Sequence, residues 1–536
     1  MTMTTKTYFC AMLDMSRNGV MKPSVVKRYI DILAKMGYNS MMLYTEDTYE
    51  VENEPYFGYL RGRYSMDELR GIDAYACSHG VELIPCVQTL AHLNGIFRWP
   101  EYQQICDVND ILLIEEDRTY LLIENMFKTL SKTFRSKIVL IGMDEAHLLG
   151  RGKYADKHDI KPKFELMKQH LDRVTQIAEK YGFSTLMWSD MFLRFVNNGE
   201  YYGENSITEQ VESMVPKNVK PVYWDYYHTN EKEYEKYVEL HGSLAKDLWF
   251  AGGTWCWAGF VPQLEFAMKS TYAAMRGCRC KGVQNIIMTL WGDNGRECSC
   301  FTSLPILYYA IQVYKGNENL KSIKAGFEKI VGVPFDDFLL LEYPNQCPGN
   351  LALRDNPSKY MFYNDVFNGL FDANVHGGEA EYYKKGKYIL SKRQNKNLEY
   401  SYLFNFEKEL CSVLEKKYEL GVQTRNAYLN NDTKMLKELL KKYMQTVNAL
   451  RSFLQAFQDL WDIENKPQGF EIHQHRIGGL IQRILSCKEK LEEYLEGKIS
   501  EIPELNEELL DVYGLKDKKN FEDFNCWQQN ITVNIL

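Results

Sequence analysis

The stretch KIVLIGMDEAHLLGRG, residues 137–152, starts with a branched apolar run and then sets two adjacent carboxylates, Asp144 and Glu145, on a glycine-containing loop. A short apolar run bounded by a polar, glycine-bearing segment predicts a buried strand over 138–142. Side chains along a strand alternate between its two faces. Both acids can therefore face one pocket only if they lie at or beyond the last paired residue, which the continuation AHLLGRG allows.

Outward from this stretch the pattern repeats. Strand-like runs are predicted at 8–13, 40–44, 82–88, 138–142, 185–188, 221–224, 248–254 and 285–290. Amphipathic segments such as VVKRYIDILAKMG and FELMKQHLDRVTQIAEKYG lie between them, several ending in Gly as a helix end does. Eight alternations predict an α/β chain folded as a (β/α)8 TIM barrel over residues 1–315, although a doubly wound sheet shares the local pattern. From 316 to 536 the sequence turns to Lys/Glu/Leu-rich helical periodicity, which predicts a C-terminal all-α domain, with an irregular passage at 341–360.

Composition narrows the function. The chain has 536 residues, is 45% hydrophobic and 25% charged, and carries a net charge of -8, so a nucleic-acid partner is not expected. No window reaches the ~18 apolar residues of a membrane span, and the N-terminus lacks the build of a signal peptide. Thirteen cysteines scattered through predicted strands and helices fit a reducing cytoplasm better than a disulfide framework. CRC at 278–280 and CSC at 298–300 are spaced too tightly for a zinc site, and HQH at 473–475 reads as a helix start, so neither metal nor cofactor is expected.

In a barrel of this kind the active residues lie where strands end. Those ends read LDMSRNG, LYTEDTYEV, CVQTLAHLN, IGMDEAH, MWSDMF, VYWDYYH, GGTWCWAGF and TLWGDNGREC. A ring of acids and aromatic residues suits a carbohydrate, because indole and phenol rings cover the apolar faces of a sugar while carboxylates and Arg bind its hydroxyls. A dipeptide Asp-Glu alone is more often a helix cap or an ion-pair partner. At this strand end, two carboxylates whose proton affinities diverge suit glycosidic cleavage. Acid and nucleophile of the ordinary retaining design face each other across the sugar, whereas adjacent acids lie on one side. Same-side acids fit a substrate-assisted route in which the sugar's own 2-acetamido oxygen attacks the anomeric carbon.

These residues resemble the β-N-acetylhexosaminidases of glycoside hydrolase family 20, in a divergent intracellular-type branch. IGMDE is similar to the end of the family's His-x-Gly-Gly-Asp-Glu segment, with Met143 replacing the second Gly and Leu140 standing where the His would be. LDMSRNGV, LYTEDTYEV, PCVQTLAHLN, MWSDMF and TLWGDNG resemble further family segments in order, and together the likeness covers about residues 8–300. The resemblance implies that Asp144 orients the acetamido group and Glu145 is the general acid and base. It implies that Arg17 and Asp293 bind hydroxyls, that Asp47 and His92 support Glu145, and that Trp188 and Trp291 line the pocket. The family's strand-seven Tyr-x-Asp is missing from TWCWAGF, so Tyr226 is taken as the acetamido partner from VYWDYYH, which also offers Tyr223, Asp225 and Tyr227. Trp224, Trp255 and Trp257 complete the expected walls.

The function implied is an exo-acting release of terminal β-linked N-acetylglucosamine or N-acetylgalactosamine, without metal or organic cofactor. The competing readings are another acetamido-assisted glycosidase, of O-GlcNAcase or lacto-N-biosidase type, and a sugar-binding barrel that no longer catalyses. The expected partner is an oligosaccharide or small molecule ending in an N-acetylhexosamine, with a homo-oligomer left open.

Overall fold

The computed structural model describes residues 7–510 apart from 204, 246 and 349–353. The chain forms two compact units that alternate along the sequence. One comprises residues up to Thr254 with Ala267–Gly292 and Ile306–Gly332, and the other comprises Trp255–Phe266, Asp293–Pro305 and the chain from Val333.

The first unit is the predicted barrel. Its eight parallel strands are β1 (Phe9–Asp14), β2 (Ser40–Tyr44), β3 (Glu82–Cys86), β4 (Ile138–Leu140), β5 (Ser184–Trp188), β6 (Val219–Trp224), β7 (Trp249–Gly253) and β8 (Asn285–Leu290), closed by pairing of β8 with β1. A doubly wound sheet would leave two open edges, and this sheet has none. Most strand residues are buried, because helices cover the outer face while side chains fill the interior. The helix Pro23–Met36 illustrates the local encoding: Pro stands at its first turn, and Gly37 ends it at φ 97°.

Inside the barrel, side chains two residues apart stack into layers. Met12, Met42, Tyr44, Ile84, Cys86, Leu140, Leu186, Trp188, Val222, Trp249, Ala251 and Ile287 belong to one buried cluster, with Trp224 and Trp291 packed against it. Pairing is uneven around the ring. β1 and β2 share five residues in register, whereas β3 and β4 meet only at Cys86 and Leu140.

The second unit is helical, with long helices at Glu379–Lys396, Ser401–Lys417, Thr433–Glu464 and Glu471–Leu495. Phe260, Phe362, Phe406, Phe453 and Phe457 form its aromatic core. The expected irregular passage contains a short 3-10 turn, Leu340–Asn345, and the helix Pro357–Tyr363, with 349–353 outside the described residues. His473 lies inside the helix Glu471–Leu495, where burial pulls its imidazole down to about 3 and its Nε2 donates to Gly295 O at 2.7 Å. Arg476 donates to Asn294 O at 2.6 Å, so two side chains fix a run in which Asn294, Gly295 and Arg296 all have positive φ.

Trp249 is fully buried in the barrel interior. Truncation by Trp249→Ala is expected to lower stability by about 3–5 kcal/mol, read as a shift of the denaturant midpoint at unchanged slope.

Candidate active site

The inward phase of each strand, continued two residues past its end, generates the site. Met12 leads to Asp14, Tyr44 to Glu46, Cys86 to Gln88, Trp188 to Asp190 and Trp224 to Tyr226. Trp291 follows from Ile287 in the same way, and Asp144 follows from Leu140 by way of Gly142.

Gly142 stands at φ 77°, Met143 at 68° and Glu145 at 51°, a left-handed turn that residues other than Gly adopt at a cost of about 1–3 kcal/mol each. Two neighbouring loops hold it. Gln88 Oε1 accepts from Met143 N at 3.1 Å, and Asp190 Oδ2 accepts from Glu145 N at 3.1 Å. A Cβ at residue 142 would run into the Gln88 amide, so this position requires Gly for space as well as for backbone.

Asp144 is the more enclosed acid. Gln88 Nε2 donates to its Oδ1 at 2.7 Å, and His92 Nε2 lies 3.2 Å from its Oδ2. Burial alone would raise the Asp144 carboxyl, but the His92 charge and hydrogen bond bring it below the usual range. Burial would likewise depress His92, and the Asp144 carboxylate instead pushes it up to about 10. The two form a desolvated ion pair. His92 is oriented from behind by Asp110, which accepts from its backbone N at 3.0 Å.

Glu145 is 43% exposed and lies at the mouth, 3.8 Å from His92 Nε2 and 3.9 Å from Arg194 Nη2. Asp190 is fully buried behind it, and burial with the charges of Asp144 and Glu145 pushes its carboxyl up to about 7. His92, Asp144 and Glu145 are also the one group among the described residues whose donor atoms, within 4.8 Å of one another, could hold a metal ion. A proton on His92 Nε2 competes with an ion for that position.

Across the barrel, Arg17 Nη1 lies 3.3 Å from Glu46 Oε1, which also accepts from Tyr44 Oη at 3.0 Å. Burial, partly offset by Arg17, raises Glu46 to about 7. Gln88 Nε2 also donates to Tyr44 Oη at 2.9 Å, so a continuous polar chain runs from Arg17 to His92. The aromatic lining is Trp291 edge-on to Tyr44 at 4.9 Å, Trp188 at 6.0 Å from Trp291, and Trp224 stacked on Tyr226 at 5.4 Å. Trp291 Nε1 donates to Tyr226 Oη at 3.0 Å.

The structure thus gathers Arg17, His92, Asp144, Glu145, Trp188, Trp224, Tyr226 and Trp291. Asp225 is out of phase with them: its carboxylate accepts from Tyr223 Oη and binds His228 Nδ1, each at 2.6 Å. Asp47 is likewise one residue out of phase and pairs with Arg61 at 3.1 Å. Trp255 and Trp257, 5.0 Å apart and buried, belong with Asp293 to the helical unit. Sequence reading missed Tyr44, Glu46, Gln88 and Asp190, all of which strand parity would have found, and Asp110 and Arg194, which no periodicity marks.

The pattern described as "Glycosyl hydrolase family 20, catalytic domain" matches residues 7–241, and "Glycoside Hydrolase 20C C-terminal domain" matches residues 336–523. Hexosaminidase D of Bos taurus is 26% identical over 239 residues, covering 42% of this chain and 62% of the relative. Hexosaminidase D of Homo sapiens is 23% identical over 214 residues, covering 38% and 42%. The chain therefore spans less than two thirds of the length of the curated relatives it matches. A solved family 20 exo-β-N-acetylglucosaminidase from Vibrio harveyi, in complex with N-acetylglucosamine, superposes with a TM-score of 0.46 at 13% identity over 62% of this chain and 58% of that one.

Because His92 is raised above its usual ~6.5, its contribution to stability is complete below that value and is lost as pH rises through about 10. The depressed Asp144 contributes above ~3.8 and loses its effect as pH falls through its lower folded value. The stability gap between wild type and His92→Gln should accordingly narrow steadily from near neutrality toward pH 10, measured by chemical denaturation.

Proposed function

Since the chain belongs to glycoside hydrolase family 20, we propose that it is an exo-β-N-acetylhexosaminidase acting by the substrate-assisted retaining route. The observation that carries this reading is the pair of adjacent acids held on one side, one locked in an ion pair and the other at the mouth. An exo enzyme of this type needs no protein nucleophile opposite its acid.

In the proposed cycle the sugar occupies the cup formed by Trp224, Tyr226 and Trp291, with buried Trp188 packed near Trp291. Asp144, kept ionised by His92, accepts a hydrogen bond from the acetamido N–H and stabilises the positive charge that develops as the acetamido oxygen closes on the anomeric carbon. Tyr226, whose oxygen accepts from Trp291, donates a hydrogen bond from its hydroxyl to the acetamido oxygen and keeps its proton. Glu145 protonates the departing glycosidic oxygen, then takes a proton from the water that opens the cyclic intermediate and restores the acetamido group. Arg17 and Glu46 bind hydroxyls at the closed side. Thirteen cysteines support a reducing, cytoplasmic location.

Three measurements test this. The enzyme should hydrolyse an aryl β-N-acetylglucosaminide and leave the aryl β-glucoside essentially untouched; equal rates would remove the acetamido group from the mechanism. Glu145→Gln should lower kcat on a natural disaccharide by about 10²–10⁴. Azide should fail to restore Asp144→Asn, as it would restore a lost covalent nucleophile.

A further inference from the structure

Beyond the acids, the loops following β2 and β3 carry an aromatic cluster that the mechanism does not use. Tyr56 and Tyr59 are 44% and 43% exposed, and with Trp99 they form a mutual triangle with ring centroids 5.4–6.0 Å apart. Single exposed aromatic residues need no explanation, whereas three in contact form a patch. Leu60, beside them, is 66% exposed and held at φ 64°, a conformation that costs a bulky residue about 1–3 kcal/mol.

The cluster is built rather than incidental. Arg98 donates to Tyr59 O at 2.8 Å and lays its guanidinium 5.0 Å from the Trp99 ring, tying the two loops together. Arg63 donates to Pro55 O at 3.0 Å and to Phe57 O, fixing the turn that presents Tyr56. The two loops that carry the cluster also carry site residues, Glu46 on the first and His92 on the second. Arg61 binds Asp47 and donates to Ser16 O, the residue before Arg17, and Tyr59 lies two residues away, at most ~7 Å along the chain. On the other loop, Gly95 packs against Asp47 between His92 and Trp99.

Size selects the occupant. Each ring offers on the order of 150–250 Å² when bare, and less than half of each tyrosine is exposed. The patch is therefore far below the ~800 Å² per partner of a stable protein interface, and it matches one or two sugar rings. Arg98, laid against the Trp99 ring, supplies a donor for hydroxyls.

We propose that Tyr56, Tyr59 and Trp99 form a carbohydrate-stacking subsite for a ring of the leaving part of the substrate, so that the enzyme prefers an oligosaccharide to a small aglycone. This rests on the glycosidase reading, since an exo enzyme has further rings on the leaving side only.

The test compares kcat/KM for a β-linked N-acetylglucosamine trisaccharide with that for the para-nitrophenyl monosaccharide. In Tyr56→Ala and Trp99→Ala the ratio of the two should fall about ten-fold, and Tyr56→Phe should keep the wild-type ratio. A ratio unmoved in the alanine variants, or one that falls equally in Tyr56→Phe, overturns the subsite. Should wild type cleave neither substrate, the catalytic reading fails by itself. The subsite is then decided by fluorescence: the trisaccharide should quench an emission component that Trp99→Phe removes, and absence of that quenching overturns it.

Discussion

A β-strand sends neighbouring side chains to opposite faces, and the site depends on how the chain defeats that rule at Asp144 and Glu145. Three left-handed residues within four positions turn the backbone after β4 so that both carboxylates approach His92. Such a turn is costly, and it persists because Gln88 and Asp190 hold its amides from the loops on either side. Within that turn, Gly142 is the position where both backbone and space demand the smallest residue.

That geometry sets the electrostatics. Asp144, Glu145 and Asp190 crowd three carboxyl groups together, and they cannot all behave as ordinary acids. The crowding resolves unequally. Asp144 has His92 as a counter-ion and falls, whereas Asp190, buried and facing two negative neighbours, rises to about 7. Glu145 stays at the mouth between two cationic groups, where solvent reaches it. Environment, with little help from residue type, thus separates the proton affinities of chemically similar groups.

Much of this was legible in the sequence, because barrel strands are short apolar runs between turns and active loops are polar. The eight predicted strands fall within a few residues of those observed, and Asp144 and His92 were visible as polar groups at strand ends. What escaped reading had a physical cause. Glu46, Gln88 and Asp190 stand two residues past the last inward side chain of their strands, and Asp47 and Asp225, taken in their place or beside them, are one residue out of phase. The motif carried the chemistry, and the pleat carried the direction. Arg194 and Asp110 arrive from a helix and a distant loop, so only the folded chain brings them near.

The uneven pairing around the barrel ties the site to the stability of the fold. β3 and β4 share a single residue pair in register, and past it the two chains are joined by Thr89 to Ile141, Gln88 to Met143 and Asp144, and His92 to Asp144. The side chains that define the site therefore also close the weakest seam of the cylinder. A substitution at any of these positions therefore loosens the barrel as well as the site, so a loss of function there carries a loss of stability with it.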